Sequence, residues 1–192
     1  MTQLDFGFFA RETELVAREL LGKIMQYNSP WGRISGIVVE DEAYLGVNDP
    51  GSHSFRGKTK RNAVMFGPAG RSYVYLIYGM YYCYNVTTHR EDIPAAVLIR
   101  ALHPLEGIEV MKRNRKKEKS KDLCSGPGKL AQAMGIGMTL NGTSAVDGPV
   151  KFFDSDLLGE IKIKEATRIG LSQGAESLLR FYVKDNVFVS RK

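Results

Sequence analysis

The chain contains no run of about 18 uncharged apolar residues, so no membrane-spanning helix is expected. Its first residues, Met1-Thr2-Gln3-Leu4-Asp5, lack a basic segment followed by an apolar one, which argues against a secretion signal. Cysteine is scarce. Cys83 and Cys124 are far apart and have no metal-ligand spacing, so free thiols in a cytoplasmic or nucleoid-associated protein are expected. The three histidines, His53, His89 and His103, have no zinc-site spacing either, and neither a metal nor a cofactor is expected. No His-x-Glu with a downstream Pro-Cys-x-x-Cys is present, which argues against a zinc base deaminase. No Gly-x-x-x-x-Gly-Lys-Ser/Thr is present, which argues against a P-loop nucleotidase.

What the chain does have is enough apolar material for one domain. It has 192 residues, 43% of them hydrophobic. Its formal net charge is +6, which suits a polyanionic partner. The positive charge is concentrated. Arg56, Lys58, Lys60 and Arg61 form one window. Lys112, Arg113, Arg115, Lys116, Lys117, Lys119 and Lys121 form a second, with Glu118 the one acid among them. Either window alone could be a solvated loop.

Tyrosine is concentrated too. The stretch Tyr73-Val74-Tyr75-Leu76-Ile77-Tyr78-Gly79-Met80-Tyr81-Tyr82-Cys83-Tyr84-Asn85 holds six tyrosines in thirteen residues. Each buried hydroxyl needs a partner, so a plain core strand rarely has this composition. Two β-prone runs flank Gly79-Met80, which predicts a hairpin with a two-residue type II′ turn and Tyr78 opposite Tyr81. That register puts Asn85 on the Tyr78 face and Tyr75 on the other, unless a bulge re-aims Tyr75.

Around the hairpin the pattern predicts an amphipathic helix over 8–21 ending at Gly22, strands over 23–27 and 33–44, and a loop over 46–57. It further predicts a short helix within 58–66, a strand over 95–102, a helix over 104–115, a lysine-rich mobile loop, and a short helix over 129–134. Short strands follow near 150–153, 161–163, 181–183 and 187–190. The class is α+β: a single domain with one mostly antiparallel, curved sheet, surrounding helices and the protruding aromatic hairpin.

Two strands carry unusual charge. Ile37-Val38-Val39-Glu40-Asp41-Glu42-Ala43-Tyr44 starts apolar and then places three carboxylates in a row. Period-two alternation puts Glu40, Glu42 and Tyr44 on one face and Asp41 on the other. This is either a solvated strand end or a general base at the mouth of a pocket lined by Tyr44. Arg100 interrupts the apolar run from Ala95 to Leu102. Burying its charge demands a partner, so it is a structural ion-pair residue or an orienting group in a site.

Several motifs then occur in one order: Glu-Asp-Glu-Ala-Tyr-Leu-Gly (40–46), His53-Ser54, Arg61-Asn62, the tyrosine hairpin, Leu-Ile-Arg-Ala-Leu (98–102), Pro-Leu-Glu-Gly (104–107) and Leu-Cys-Ser-Gly-Pro-Gly-Lys-Leu (123–130). With them the sequence resembles the alkyladenine, or 3-methyladenine, DNA glycosylases. The likeness runs from about Glu14 to Met134, returns at Arg168-Ile169-Gly170 and Leu179–Val183, and is loose over 135–165. The resemblance implies one glycosylase domain over 1–192, acting as a monomer on damaged double-stranded DNA in base excision repair, without lyase activity. It would flip an alkylated or deaminated purine out of the duplex and hydrolyse its N-glycosidic bond.

Carried over by motif, Glu42 is the base that activates water, and Arg100 orients it. Tyr44, His53 and Tyr75 form the walls around the flipped base, and Asn85 screens against the guanine amine. Tyr78 enters the vacated place in the stack. Arg56, Lys58, Lys60, Arg61, Lys112, Arg113, Arg115, Lys116 and Lys117 are the expected DNA-backbone contacts. Two other readings stay open from the residues alone. One is a non-catalytic nucleic-acid module that stacks bases on the hairpin. The other is a carbohydrate hydrolase using Glu40 and Glu42, whose carboxyls lie roughly 6–7 Å apart by strand rise.

Overall fold

A computed structural model describes residues 1–191. The fold is α+β, with the helices packed around one antiparallel sheet. In chain order the elements are α1 (Phe6–Phe9), α2 (Thr13–Leu20), β1 (Ile24–Ser29), β2 (Gly32–Tyr44), β3 (Ser72–Ile77), β4 (Tyr81–Thr88), β5 (Ala95–Glu106), α3 (Ile108–Arg115), α4 (Pro127–Met134), β6 (Val150–Phe153), β7 (Ile163–Ala166) and β8 (Arg180–Val183). Strands run in the order β3-β4-β5-β2-β1-β6, and β8 joins β2 to β7. Among the described residues no helix is long and apolar enough to cross a membrane.

The sheet is organised around β2. One edge pairs with β5 along most of its length. The other edge is shared: its first half pairs with β1, as in Ile24↔Ile37, and its second half with β8, as in Glu40↔Tyr182. The sheet therefore forks just ahead of the three carboxylates. Here β2 and β5 also slip past each other and recover. Val38 opposes Leu102, Glu40 opposes Ala101 and Asp41 opposes Ile99. Val39 is thus an extra residue on β2, and Arg100 an extra residue on β5. Such bulges bend a strand and re-aim the side chain they carry.

Several boundaries differ from the sequence expectation. The first helix is broken into α1 and α2, because Phe9 and Arg11 turn their carbonyls to the His89 N–H and Thr13 bonds the Thr88 hydroxyl at 2.9 Å. The expected helix over 58–66 is only a 3-10 turn, Ala63–Phe66. Pro104 belongs to β5, not to a helix: it sits opposite Gly36 beside a register shift, and α3 begins only after Gly107. The lysine-rich run is not all loop. Lys112 to Arg115 form the last turn of α3, where cations favour the helix dipole, and Lys116 ends it with φ 53°. The stretch 187–190 forms no strand, since the Ser190 N–H is donated to the Glu40 carboxylate at 2.6 Å.

The hairpin register also differs. Ile77 pairs with Tyr81, so Tyr78, Gly79 and Met80 make a three-residue tip. Tyr78 and Gly79 both take positive φ, 53° and 69°. The Met80 N–H closes the turn on the Ile77 carbonyl at 3.2 Å. Tyr78 thus has no strand partner, and the expected pairing with Tyr81 is replaced. In this register Tyr73 faces Asn85 and Tyr75 faces Cys83, so Tyr75 and Asn85 share one face of the sheet.

Candidate active site

The shared face has a consequence for chemistry. Glu42 opposes Leu98, Leu98 opposes Asn85, and Asn85 opposes Tyr73. One row of register partners therefore runs across β2, β5, β4 and β3, and the next row carries Tyr44 opposite Ala96. Above these rows lies a cavity of about 310 Å³, within the range of roughly 300–1,000 Å³ common for small-molecule pockets. Tyr44, His53, Tyr75, Tyr78, Asn85 and Arg100 all line it. Tyr73, Tyr81 and Cys83, to which the sequence assigns no site role, line it as well. Ile169, Gly170 and Leu171 close it from the C-terminal part of the chain.

The three carboxylates of β2 are not a solvated strand end. Glu40, Asp41 and Glu42 are all fully buried. Glu42 sits behind the cavity wall, held by three residues that line it. Its Oε1 accepts from the Ile169 N–H at 2.7 Å and lies 3.1 Å from Arg100 Nη1, while its Oε2 accepts from the Tyr44 hydroxyl at 2.8 Å. A carboxylate has about four acceptor positions, so one remains for a further donor such as water. Burial raises the Glu42 pKa; Arg100, the Ile169 N–H and the Tyr44 hydroxyl pull it part of the way back.

Glu40 is used up elsewhere. It accepts from Arg100 Nε at 3.0 Å, Arg180 Nη1 at 3.1 Å, the Ser190 N–H at 2.6 Å and the Ser190 hydroxyl at 2.9 Å. The alternation that leaves Glu40 and Glu42 equivalent in the sequence is thus broken by their partners. Arg100 is paired to both carboxylates: one nitrogen meets Glu40, another meets Glu42, and its side chain lines the cavity. Desolvation works against its cation, but the Glu42 and Glu40 carboxylates outweigh it and raise its pKa.

The aromatic walls are ordered by contacts. The His53 and Tyr75 rings meet edge to face at 4.5 Å, and His53 Nδ1 is 2.9 Å from the Tyr73 hydroxyl. Burial, followed by the nearby Arg61 cation, lowers the His53 pKa to about 4, so the ring is neutral at physiological pH. Asn85 donates its amide to the Tyr73 carbonyl at 2.9 Å, which fixes its orientation. Tyr78 stands out at the tip with 80% of its surface exposed.

The expected backbone contacts divide. Arg61 reaches the cavity wall, its guanidinium 5.3 Å from the Tyr75 ring centre. Lys58 lies 5.7 Å over Phe66, while Arg56 and Lys60 are exposed on the same loop. Arg113, Lys116 and Lys117 are exposed at the end of α3. Lys112 is engaged by Glu109 at 2.9 Å and Arg115 is bonded to Gln132, so both have partners within the protein.

Four contributors escape the sequence reading. Arg168 forms a bidentate pair with Asp49 at 2.5 and 2.7 Å, which ties the Ile169–Leu171 wall to the 46–57 loop. Its guanidinium also lies 4.8 Å over the Tyr44 ring. Arg168 stands in a motif shared with the glycosylases, but Asp49 reads only as a turn residue. Arg180 stands in the other shared stretch, 179–183, and Ser190 in a β-prone run, but neither pattern points to Glu40. Among the described residues no three His, Cys, Asp or Glu side chains converge so as to hold a metal ion.

Comparison with known proteins gives the arrangement a family. The family model described as Methylpurine-DNA glycosylase (MPG) matches residues 7–187. A Francisella tularensis subsp. tularensis (strain SCHU S4 / Schu 4) protein named "Putative 3-methyladenine DNA glycosylase" is 48% identical over 181 residues, 92% of each chain. Proteins of the same name from Methanoculleus marisnigri and Legionella pneumophila (strain Corby) are 46% and 44% identical, covering 98% and 100% of this chain and 99% and 100% of their own. A carboxylate–arginine pair behind an aromatic cavity, carried on a sequence alike over nearly its whole length, makes this chain a member of the methylpurine-DNA glycosylase family.

Proposed function

We propose that the protein is a monofunctional glycosylase that flips an alkylated or deaminated purine from duplex DNA and hydrolyses its N-glycosidic bond. The observation that carries this reading is the buried Glu42–Arg100 pair at the back of an aromatic cavity, with one acceptor position of Glu42 unfilled. The target base is stacked inside the duplex, and extruding it requires roughly a few kcal/mol. Tyr78, exposed on its left-handed tip, offsets part of that by filling the gap in the stack. The base then lies between Tyr44, Tyr75 and His53, with Asn85 meeting its edge.

In the chemical step the bond from C1′ to the base nitrogen breaks and its electron pair leaves with the base. The sugar becomes oxocarbenium-like, as in glycoside hydrolysis. Water forms the new bond to C1′ and gives its proton to Glu42, whose negative charge also favours the developing positive charge. Arg100 fixes the carboxylate. A 3-alkylated purine is cationic and leaves as a neutral base. The electron-rich faces of Tyr44 and Tyr75 favour such a cation by roughly 0.5–2 kcal/mol, and a neutral His53 does not oppose it. A lysine nucleophile is not needed in this scheme, so the product is an intact abasic site.

The test is a release assay on duplexes carrying 3-methyladenine, 7-methylguanine, hypoxanthine or ethenoadenine at several salt concentrations. The reading expects release of at least one base without strand cleavage, and binding that weakens as salt rises. No release from any of the four would contradict it.

A further inference from the structure

A second groove, about 450 Å³ in volume, lies on the other side of the hairpin tip. Trp31, Met80, Tyr82, Asn114 and Gln132 line it, and no carboxylate does. Tyr81 and Gly128 line both this groove and the active-site cavity, so the two are neighbours. The tip divides them: Tyr78 faces the cavity and Met80 faces the groove.

Trp31 is the only tryptophan of the chain, and it is 53% exposed. Its surroundings hold it still. The Ser29 hydroxyl accepts from the Trp31 N–H at 3.1 Å and donates to the Gly32 carbonyl at 2.7 Å, which locks the β1–β2 turn. The indole rests against Gly135, where a Cβ would come within 2.5 Å of the ring. A large apolar ring fixed in place and left half open is prepared for contact at little entropic cost. The groove is bordered by cations. Arg115 bonds Gln132 in its wall, and Lys129 is exposed on α4 beside Gly128.

We infer that this groove receives the DNA strand complementary to the damaged one, with Trp31 and Met80 as its apolar contacts. The inference rests on the proposed glycosylase reading. A tip that enters the duplex, with the flipped base on its Tyr78 side, has the opposite strand on its other side. Aromatic and thioether surface, two amide side chains and bordering cations suit bases and phosphates together. A groove lined by no carboxylate offers no charge complement to a second copy of this +6 chain.

The single indole makes the test direct. Acrylamide quenching of Trp31 fluorescence is measured on the free protein and on its complex with a duplex containing a non-hydrolysable abasic analogue. The quenching constant is expected to fall about threefold or more on binding, as expected for a stacked or covered ring. Trp31→Ala is expected to bind this duplex about tenfold more weakly, with Trp31→Phe largely restored. The loss should vanish when the complementary strand is truncated opposite the lesion, and single-turnover release at saturating protein should stay unchanged. Duplex binding and base release are followed in parallel. If both occur while Trp31 stays equally quenchable, the groove inference alone is overturned. Protection of Trp31 in a dimer without DNA overturns it as well. If neither binding nor release occurs, the glycosylase reading falls too.

Discussion

Arg100 Nη1 lies 3.1 Å from Glu42 Oε1, and the two side chains are almost wholly sealed from solvent, at 6% and 0% exposure. The pair exists because β5 carries one residue more than β2 at this level. The bulge lets Arg100 reach the carboxylates of both Glu40 and Glu42.

The first consequence is a pH dependence. In the proposed step Glu42 has to be anionic to accept a proton from water, and burial raises its pKa despite Arg100. Release therefore falls as pH falls through that raised value, so the acid limb begins above the ordinary glutamate range. Below about pH 4 the protonated His53 adds repulsion toward a cationic base. Single-turnover rates from pH 4 to 9 on a 3-methyladenine duplex measure this.

Glu40 acts through Arg100. Replacing it by alanine leaves Arg100 with Glu42 as its remaining buried carboxylate and Arg180 with only the Thr167 and Arg191 carbonyls, and destabilises the fold by about 3–5 kcal/mol. Urea unfolding measures that loss. Glu40→Gln keeps acceptor geometry on one side; it is expected to stay folded at low temperature and to shift the acid limb of release, which a purely structural residue would leave in place.

Tyr78→Ala removes the ring proposed to fill the stack. Release from a paired lesion is expected to slow roughly tenfold or more, since unstacking one step requires a few kcal/mol. On a lesion placed opposite an abasic site the base is already unpaired, and the loss should shrink. Comparing the two duplexes in single turnover checks it.

Asp41 is buried with both carboxyl oxygens unpartnered, between Ile99 and Phe181 in register. Burial, then Glu40 and Glu42, raises its pKa well above the usual range. The folded protein therefore holds a proton that the unfolded chain releases. Stability falls as pH rises from the unfolded value toward the folded one, and this part of it is fully present only below the unfolded value. Asp41→Val suits a strand and is expected to gain about 1–3 kcal/mol at pH 8, with the difference shrinking toward pH 4. Chemical unfolding of both proteins across that range measures it.

Much of the site was readable because it depends on local pattern. Three carboxylates ending an apolar strand and one arginine inside another are local anomalies; all four residues are buried, and Glu40 and Glu42, though not Asp41, are paired with Arg100. Strands β1, β2, β6 and β8 follow from β-prone runs between turn residues. What was not readable depends on distant chain segments. The bulge at Arg100 is a property of two strands together. The tip register follows from Tyr78 accepting a left-handed conformation, which its residue type does not favour. Ser190 sits in a β-prone run, yet its N–H goes to Glu40, 150 positions away in sequence. Asp49 likewise reads as a turn until Arg168 meets it.

The most direct test of the account is Glu42→Gln. The amide oxygen can still accept from the Ile169 N–H while its NH2 donates to the Tyr44 hydroxyl oxygen, so the cavity keeps its shape. What it loses is the base. Duplex affinity for a lesion is expected to stay within about threefold, while single-turnover release falls by roughly 10²–10⁴. Release near the wild-type rate, or a loss confined to binding, would contradict the assignment of Glu42 as the residue that activates water.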